Sequence, residues 1–588
     1  MRFSTLATSV LVLTFFACRD PNPSNDGAGD SKPVDPNDPA AHEVPSEGTT
    51  QSGLEGVDDA IKAWMRSTCT GAVTFALGFE GEPIVTRGYG FASGPPNAVC
   101  GKPGDEFSGI REVGPSTPMR LGSNSKAITA AVTRIVLKQK LASMGRPTTD
   151  TALESLLVFD DALDLVSPRL RRAVQGAAAT GSASCVSVPG GSRVLPGGQI
   201  DPRWQSMTVG HLLGHRSGLP RGGNPITAKL PTIRGIDTFA KIEAEAELAG
   251  ASAPVRESLA SAVPNAHFLR PQTLEEYLLG NLDLCLDFSP GGPLPPTPGF
   301  DPYSNIAYGI LQHVAEHVSG RGYTAPLGAP SEHPESLLAQ FTSTRLGFDK
   351  GVESKYGMYA GQPILGMHDV AEPTYRGWDG KSLRGMFADT KRPFCVWNDE
   401  SKSCDTTAFT SGNVRYHWKW KNELVPVGYE IEGFSAGPGL IVTEMPLMLR
   451  FLAKYWVNGA GAVPFYGRER ATNPSSSSRW HIGALRGTHS VVAQFMGDSV
   501  DYFVVPRKEG ELDLATFQAY PTDAKPDASC VLPKGLDMAI SANQNDDQVC
   551  ATEGSGACAF RYMALRDVVK EALCKVSWMK VNPKLATK

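Results

Sequence analysis

Ser123 and Lys126 stand three residues apart in Leu-Gly-Ser-Asn-Ser-Lys, residues 121–126. They open a segment whose apolar residues Ile128, Val132, Ile135 and Val136 recur at helical spacing to about Leu141. Positions i and i+3 share one helix face, so the Lys126 amine is within reach of the Ser123 hydroxyl. A serine hydroxyl is a poor nucleophile until a base takes its proton, and a lysine takes it only when burial or nearby positive charge lowers its pKa. Free N–H groups at the helix start suit an oxyanion that forms as serine adds to a carbonyl. Alone, the four-residue pattern is short enough to arise by chance, and an ordinary solvated helix start satisfies it equally.

Three further segments accompany it: Met-Thr-Val-Gly-His-Leu-Leu-Gly-His-Arg-Ser-Gly-Leu-Pro at 207–220, Pro-Gly-Phe-Asp-Pro-Tyr-Ser-Asn at 298–305, and His-Ile-Gly-Ala-Leu-Arg-Gly-Thr at 481–488. In this order and spacing the set resembles the serine beta-lactamase-like superfamily, in the branch of class C beta-lactamases, D-alanyl-D-alanine carboxypeptidases and related esterases. The motifs of that branch are S-x-x-K, Y-x-N and K-T-G or H-x-G. The similarity runs from about residue 54 to about residue 580 and covers most of the chain.

The resemblance assigns roles residue by residue. Ser123 is the expected nucleophile, forming an acyl-enzyme, with Lys126 taking its proton. Tyr303 is the expected shared acid or base, with Lys126 beside it either lowering the phenol pKa by its charge or relaying the proton through its amine, and the two are expected to titrate as one unit. Asn305 is expected to have its amide oriented by Lys126 and by the substrate. His481 replaces the lysine of K-T-G, Gly483 lets backbone approach the substrate, and the N–H groups of Ser123 and Ala484 form the oxyanion hole. A neutral histidine holds a substrate carboxylate less strongly than lysine, with Arg486 a candidate to compensate. His211 and His215 are assigned to packing beside the site. The expected function is a serine hydrolase acting on an ester or amide, with no cofactor; the alternatives are a beta-lactamase and a penicillin-binding sensor that acylates without turning over.

A rival motif is present. His313, Glu316 and His317 match H-x-x-E-H, a pattern in which two histidines one turn apart bind zinc and the glutamate acts as base. Ile306, Ile310, Leu311, Val314 and Val318 give that segment an apolar stripe, Gly320 ends it, and no distal acidic ligand stands out, so metal is not expected.

The elements that position these residues come from both ends of the chain. Leu54, Val57, Ile61 and Trp64 make an amphipathic helix; 73–77 alternates like a strand, Glu80-Gly81 turns, and 84–91 returns. Residues 490–496, a Gly497-Asp498 turn and 500–505 read as a second hairpin, and Leu565, Val568, Val569, Ala572, Leu573 and Val576 as a closing helix. The expected fold class is therefore α+β: an antiparallel sheet built from both chain ends and flanked by helices, plus a mainly helical region carrying the S-x-x-K helix. The hydrolase domain spans 54–580, with a tail at 581–588. Stretches near 142–206, 356–433 and 510–560 exceed the family pattern, the second with Trp378, Trp397, Tyr416, Trp418 and Trp420, read as lobe packing or a cleft lining.

Composition suits small-molecule or peptidoglycan-like chemistry. A net charge of -5 over 588 residues leaves no electrostatic footprint for nucleic acid. Residues 1–17 carry Arg2 and an apolar stretch before Cys18, which reads as an export signal. Phe-Phe-Ala-Cys resembles a lipobox with Phe15 in place of leucine, so lipidation of Cys18 and plain cleavage both stay open. The expected place is outside the bacterial cytoplasm, facing the periplasm or cell surface, with the Cys18 lipid as the only membrane contact. Residues 19–53, rich in Pro, Asp, Ser and Gly, read as a disordered tether. Setting Cys18 aside, ten of the eleven cysteines remain, an even number suited to disulfides. Candidate pairs are Cys395 with Cys404, Cys69 with Cys100, Cys185 with Cys285, and pairs among Cys530, Cys550, Cys558 and Cys574; a zinc ribbon would need a C-x-x-C pair, which the sequence lacks.

Overall fold

The computed structural model describes residues 43–68, 70–93, 111–177, 184–187, 193–196, 199–221, 274–297, 300–323, 335–347, 357–360, 396–398, 403–405, 417–420, 423–426, 436–456, 479–485, 488–495, 532–543, 548–550 and 558–581. Cys18, Arg486, the 500–505 strand and the cysteine pairs involving Cys69, Cys100, Cys395 and Cys530 lie outside them.

The main sheet draws strands from both ends of the chain. Its order is β1 (Ser46–Thr49), β3 (Glu82–Ser93), β2 (Ala72–Phe79), β8 (Leu536–Ala542), β7 (Thr488–Gln494) and β6 (Arg479–Leu485), with Arg111–Glu112 pairing further along β3. Each neighbouring pair is antiparallel. Glu80 and Gly81, at φ 52° and 88°, close the β2–β3 hairpin, the two consecutive left-handed residues that a tight hairpin turn needs.

The strand period of two sorts side chains onto two buried faces. Val73, Phe75, Leu77, Val491, Met538 and Ile540 join α1 (Glu55–Thr68) and α5 (Arg561–Cys574) in one core through Val57, Ile61, Trp64, Leu565 and Val568. Ala72, Ala76, Val492 and Ala539 face the other core, where small side chains admit α4 (Met445–Tyr455) against the sheet. That second core continues into the helical region around α2 (Ser125–Ser143) and α3 (Asn305–Ser319). α2 is buried on nearly every side, and its Arg134 is ion-paired to Asp150 at 3.1 Å and to Glu154. Ser304 caps α3 by accepting the Ala307 N–H at 3.2 Å, and Gly320 ends it in the left-handed region at φ 67°. A short pair of strands, β4 (Met119–Arg120) and β5 (Ile441–Thr443), links the start of α2 to the start of α4.

The architecture is the expected α+β arrangement of an antiparallel sheet with flanking helices. Two details differ. Both edges of β7 are occupied, by β6 and β8, so the hairpin expected between 490–496 and 500–505 is not how this strand pairs. The stretch near 510–560 contains β8, a central strand of the sheet; Leu-Asp-Met-Ala-Ile-Ser-Ala carries Asp537 and Ser541, both fully buried, which disguise a strand covered on both faces.

The stretch near 142–206 also enters the core, through Leu153, Val158, Leu165, Val166 and Leu170. A disulfide ties it to the helical region at Cys185–Cys285. Cys574 is disulfide-bonded as well. No helix among the described residues is long and apolar enough to cross a membrane.

Candidate active site

Ser123 lies on one 3-10 turn, Gly122–Asn124, immediately before α2. The turn is pinned from behind, because the Leu121 N–H donates to the Ile441 carbonyl at 2.8 Å. Gly122 takes φ 54°, a left-handed value that favours a residue without Cβ. Lys126 follows on the first turn of α2, and its Nζ is 3.2 Å from Ser123 Oγ. The same amine donates to the Pro438 carbonyl and lies 4.7 Å from the centre of the Tyr303 ring.

Tyr303 reaches the same oxygen from 180 residues further along the chain, its hydroxyl donating to Ser123 Oγ at 2.6 Å. Its support comes from the 207–220 segment. The His215 ring stacks on the Tyr303 ring at 4.6 Å, and its Nδ1 accepts the Ser304 N–H at 3.1 Å, while His215 itself sits at φ 52°. His211 makes a reciprocal cap with Thr208 at the start of the short helix Val209–Leu213. Both histidines have the packing role expected of them, and His215 in addition holds Tyr303.

Electrostatics separate the two groups flanking the serine. Lys126 is 0% exposed, and burial first, then the Arg221 charge, hold its pKa well below that of an ordinary lysine. Burial pushes the Tyr303 phenol up to about 12, against the lowering influence of the Ser123 hydrogen bond and of Arg221. The phenol is thus raised and not lowered: desolvation outweighs the Ser123 hydrogen bond and the nearby cation that acts on the phenol, Arg221, 5.2 Å from its ring centre. An amine pushed toward its neutral form and a phenol held protonated make a base and an acid on either side of one hydroxyl. With one N–H of a neutral Lys126 directed at Pro438, its lone pair remains for the Ser123 proton.

Asn305 is placed differently from expectation. Its backbone N–H donates to the Arg221 carbonyl at 2.7 Å, and among the described residues its amide makes no hydrogen bond to Lys126. The Lys126 amine meets Ser123 and Pro438 instead.

His481 approaches on β6, the outermost strand of the sheet on this side among the described residues. Its Nδ1 is 2.9 Å from Asn124 Oδ1, Asn124 Nδ2 donates to Ser490 Oγ at 2.7 Å, and Ser490 donates to the Leu121 carbonyl. That chain has one consistent direction. A carbonyl only accepts, so the Ser490 proton goes to Leu121, Asn124 must offer its NH2 to Ser490 and its oxygen to His481, and the imidazole carries its proton on Nδ1. Burial, reinforced by the Lys126 charge, lowers the His481 pKa to about 3, so the ring is neutral at pH 7. Gly483 packs directly on the turn that bears the serine: a Cβ there would fall 1.8 Å from the Leu121 oxygen and 2.7 Å from Ser490 Oγ. Ala484 follows on the same strand, opposite His489 of β7.

His313, Glu316 and His317 are not assembled as ligands. His313 Nε2 accepts the Ser167 N–H at 3.2 Å, His317 faces Asp164 at 3.4 Å, and Glu316 accepts from Gln312 and from the Tyr323 N–H. Among the described residues no group of three or more His, Cys, Asp or Glu is placed to hold a metal. The sequence reading missed Arg221, Pro438, Asn124 and Ser490. Arg221 directly follows the 207–220 segment and Asn124 lies inside S-x-x-K, whereas Pro438 and Ser490 carry no motif of their own.

Residues 57–330 match the Beta-lactamase family model. No curated protein matches the chain. Among solved structures, a D-amino acid amidase from Ochrobactrum anthropi SV3, complexed with L-phenylalanine, aligns with a TM-score of 0.40 at 13% identity, over 90% of this chain and 99% of that one. A class C beta-lactamase in complex with cefoxitin aligns at 0.38 and 12% identity, over 88% and 97%. A beta-lactamase/D-alanine carboxypeptidase from Pseudomonas syringae aligns at 0.38 and 13% identity, over 88% and 99%. At such scores these likenesses carry no argument about activity. The matched span contains the segments that supply Ser123, Lys126 and Tyr303, and residues 57–330 are thus a Beta-lactamase domain of the serine beta-lactamase superfamily, a family of serine hydrolases.

Proposed function

We propose that the protein hydrolyses an ester or amide through an acyl-enzyme on Ser123, as a carboxylesterase or a D-alanyl-D-alanine carboxypeptidase-like enzyme. The supporting observation is one oxygen, Ser123 Oγ, held between a buried amine of lowered pKa at 3.2 Å and a phenol of raised pKa at 2.6 Å. Ser123 Oγ attacks the carbonyl carbon while its proton passes to Lys126 Nζ. The oxyanion is met by the backbone N–H groups of Ser123 and Ala484. Tyr303 gives its proton to the departing oxygen or nitrogen as the carbon–heteroatom bond breaks, and the Lys126 proton then restores the phenol. In the second half water adds to the ester carbon and gives up a proton to Lys126 Nζ, the bond from that carbon to Ser123 Oγ breaks as the proton passes to Oγ, and the acid is released.

The tautomer of His481 favours this reading over a beta-lactamase. A neutral ring whose Nδ1 proton is committed to Asn124 supplies no cation for a lactam carboxylate. Labelling with a fluorophosphonate and with a fluorescent penicillin, wild type against Ser123→Ala, tests nucleophile and substrate class together. Fluorophosphonate labelling lost in the variant, with little penicillin turnover, is expected; robust cephalosporin hydrolysis overturns the ester or amide preference. Burst kinetics separate a sensor from a hydrolase: one equivalent and then silence marks the sensor.

The sequence of residues 1–18 supports export, with lipidation of Cys18 as the membrane contact and a small-molecule or peptidoglycan-like substrate outside the cytoplasm. Palmitate incorporation lost in Cys18→Ser is the expected result, and equal incorporation removes the anchor.

A further inference from the structure

The Pro438 carbonyl that meets Lys126 belongs to residues 436–440, a segment far from the active-site motifs in sequence. Two helices grip the glycine just before it. The Gly437 N–H donates to Gln312 Oε1 of α3 at 2.7 Å, and the Gly437 carbonyl accepts from Thr129 Oγ1 of α2 at 3.0 Å. Each grip is itself held. Gln312 Nε2 donates to Glu316 Oε1 at 3.1 Å, and that oxygen also accepts the Tyr323 N–H at 3.2 Å. Tyr323 Oη lies 2.7 Å from Thr129 Oγ1, whose proton is shared between the carbonyls of Gly437 and Ser125, so the tyrosine is the donor. Thr129, Gln312 and Tyr323 are all buried. A Cβ on Gly437 would fall 2.9 Å from both Gln312 Cβ and the Tyr308 oxygen, so glycine is needed for this approach.

Resting on the hydrolase reading above, we infer that Gln312 and Thr129 are positioning residues, which clamp Gly437 on both sides so that the next carbonyl, that of Pro438, is aimed at the Lys126 amine. Proline makes the transfer of orientation rigid. Its ring fixes φ near -65°, so once the Gly437 carbonyl is held only ψ of Pro438 sets where its own carbonyl points. Apolar packing would hold the segment in place without fixing a peptide plane. A buried polar network is favourable only when its members are paired, and each link here has its partner.

The consequence falls on Lys126. The titratable and charged groups around this amine are Tyr303 and Tyr308 on the α3 side, His481 on β6, and Arg221. Apart from Ser123, Pro438 supplies its acceptor, and an acceptor stabilises the ammonium more than the amine. Releasing the clamp therefore lowers the Lys126 pKa further and frees the direction of its lone pair.

The test is the rate of fluorophosphonate labelling at Ser123 against pH, in the full-length protein, for wild type, Gln312→Met and Thr129→Val. In both variants the ascending limb is expected to move to lower pH by about one unit while the plateau rate falls roughly tenfold. A purely structural role predicts a lower melting temperature and a uniform rate loss with the limb unmoved, and that result, or a limb moved to higher pH, overturns the inference. Thr129→Val, close to isosteric, decides the matter if Gln312→Met does not fold. A wild type that fails to label at Ser123 sinks the hydrolase reading instead, so the two failures are distinguishable.

Discussion

The Tyr303 hydroxyl donates to Ser123 Oγ at 2.6 Å across 180 residues of sequence. This contact makes α3 and the start of α2 parts of one site, because Ser304, the next residue, caps α3 and is held by His215. The phenol with its pKa at about 12 is a proton donor at neutral pH, leaving the buried Lys126 amine as the base.

That division fixes a pH profile. Lys126 has a lowered pKa and must be neutral to accept the Ser123 proton, so kcat/KM is low in acid and rises as pH climbs through that lowered value. With the phenol pushed up to about 12, no descending limb is expected below about pH 11. A steady-state series with a neutral ester checks this; a bell with a descending limb near pH 8 contradicts the assignment.

Tyr303→Phe removes the donor and keeps the ring that stacks on His215. The expected loss is about 10²–10⁴ in kcat with little change in KM or melting temperature. Esters with good leaving groups, which need no proton, should lose least, and an equal loss across a leaving-group series speaks against the acid role.

His481→Lys replaces a neutral ring with a cation next to Asn124. Relative to wild type, the ratio of kcat/KM for carboxylate-bearing lactams over neutral esters should rise, by roughly tenfold for about 1.4 kcal/mol of added attraction. An unchanged or falling ratio means that the carboxylate is held elsewhere, with Arg221 the nearest alternative.

Gly483→Ala drives a methyl group against the Leu121 oxygen at 1.8 Å. β6 must then withdraw from the turn that carries Ser123, and displacement of about 1 Å costs on the order of 10²-fold in rate. Near-normal turnover in this variant would show that the strand does not flank the reacting centre.

The parts legible in the sequence are those with a short-range signature. Ser123 and Lys126 announce themselves by helical spacing, Glu80 and Gly81 by hairpin turn chemistry, and α1, α3 and α5 by apolar periodicity. Cys185 and Cys285, one candidate pair among several, stand at bonding distance, a connectivity that the sequence alone leaves open. β8 was hidden because a strand covered on both faces loses its alternation and this one buries Asp537 and Ser541. Pro438 escaped because it acts through a carbonyl, which no side-chain pattern reports. The direction of the Tyr303 shift escaped because it depends on how deeply the phenol is buried, a property of the folded chain. At Asn305 the motif is present, yet among the described residues the Lys126 amine meets Ser123 and Pro438.

The most direct measurement is intact-mass analysis of the protein after brief exposure to a fluorophosphonate or an activated ester, followed by peptide mapping, in wild type and Ser123→Ala. One covalent adduct on the peptide bearing Ser123, absent from the variant, is the outcome predicted by an amine and a phenol converging on that oxygen. An adduct that persists in Ser123→Ala, or that maps to another residue, contradicts it.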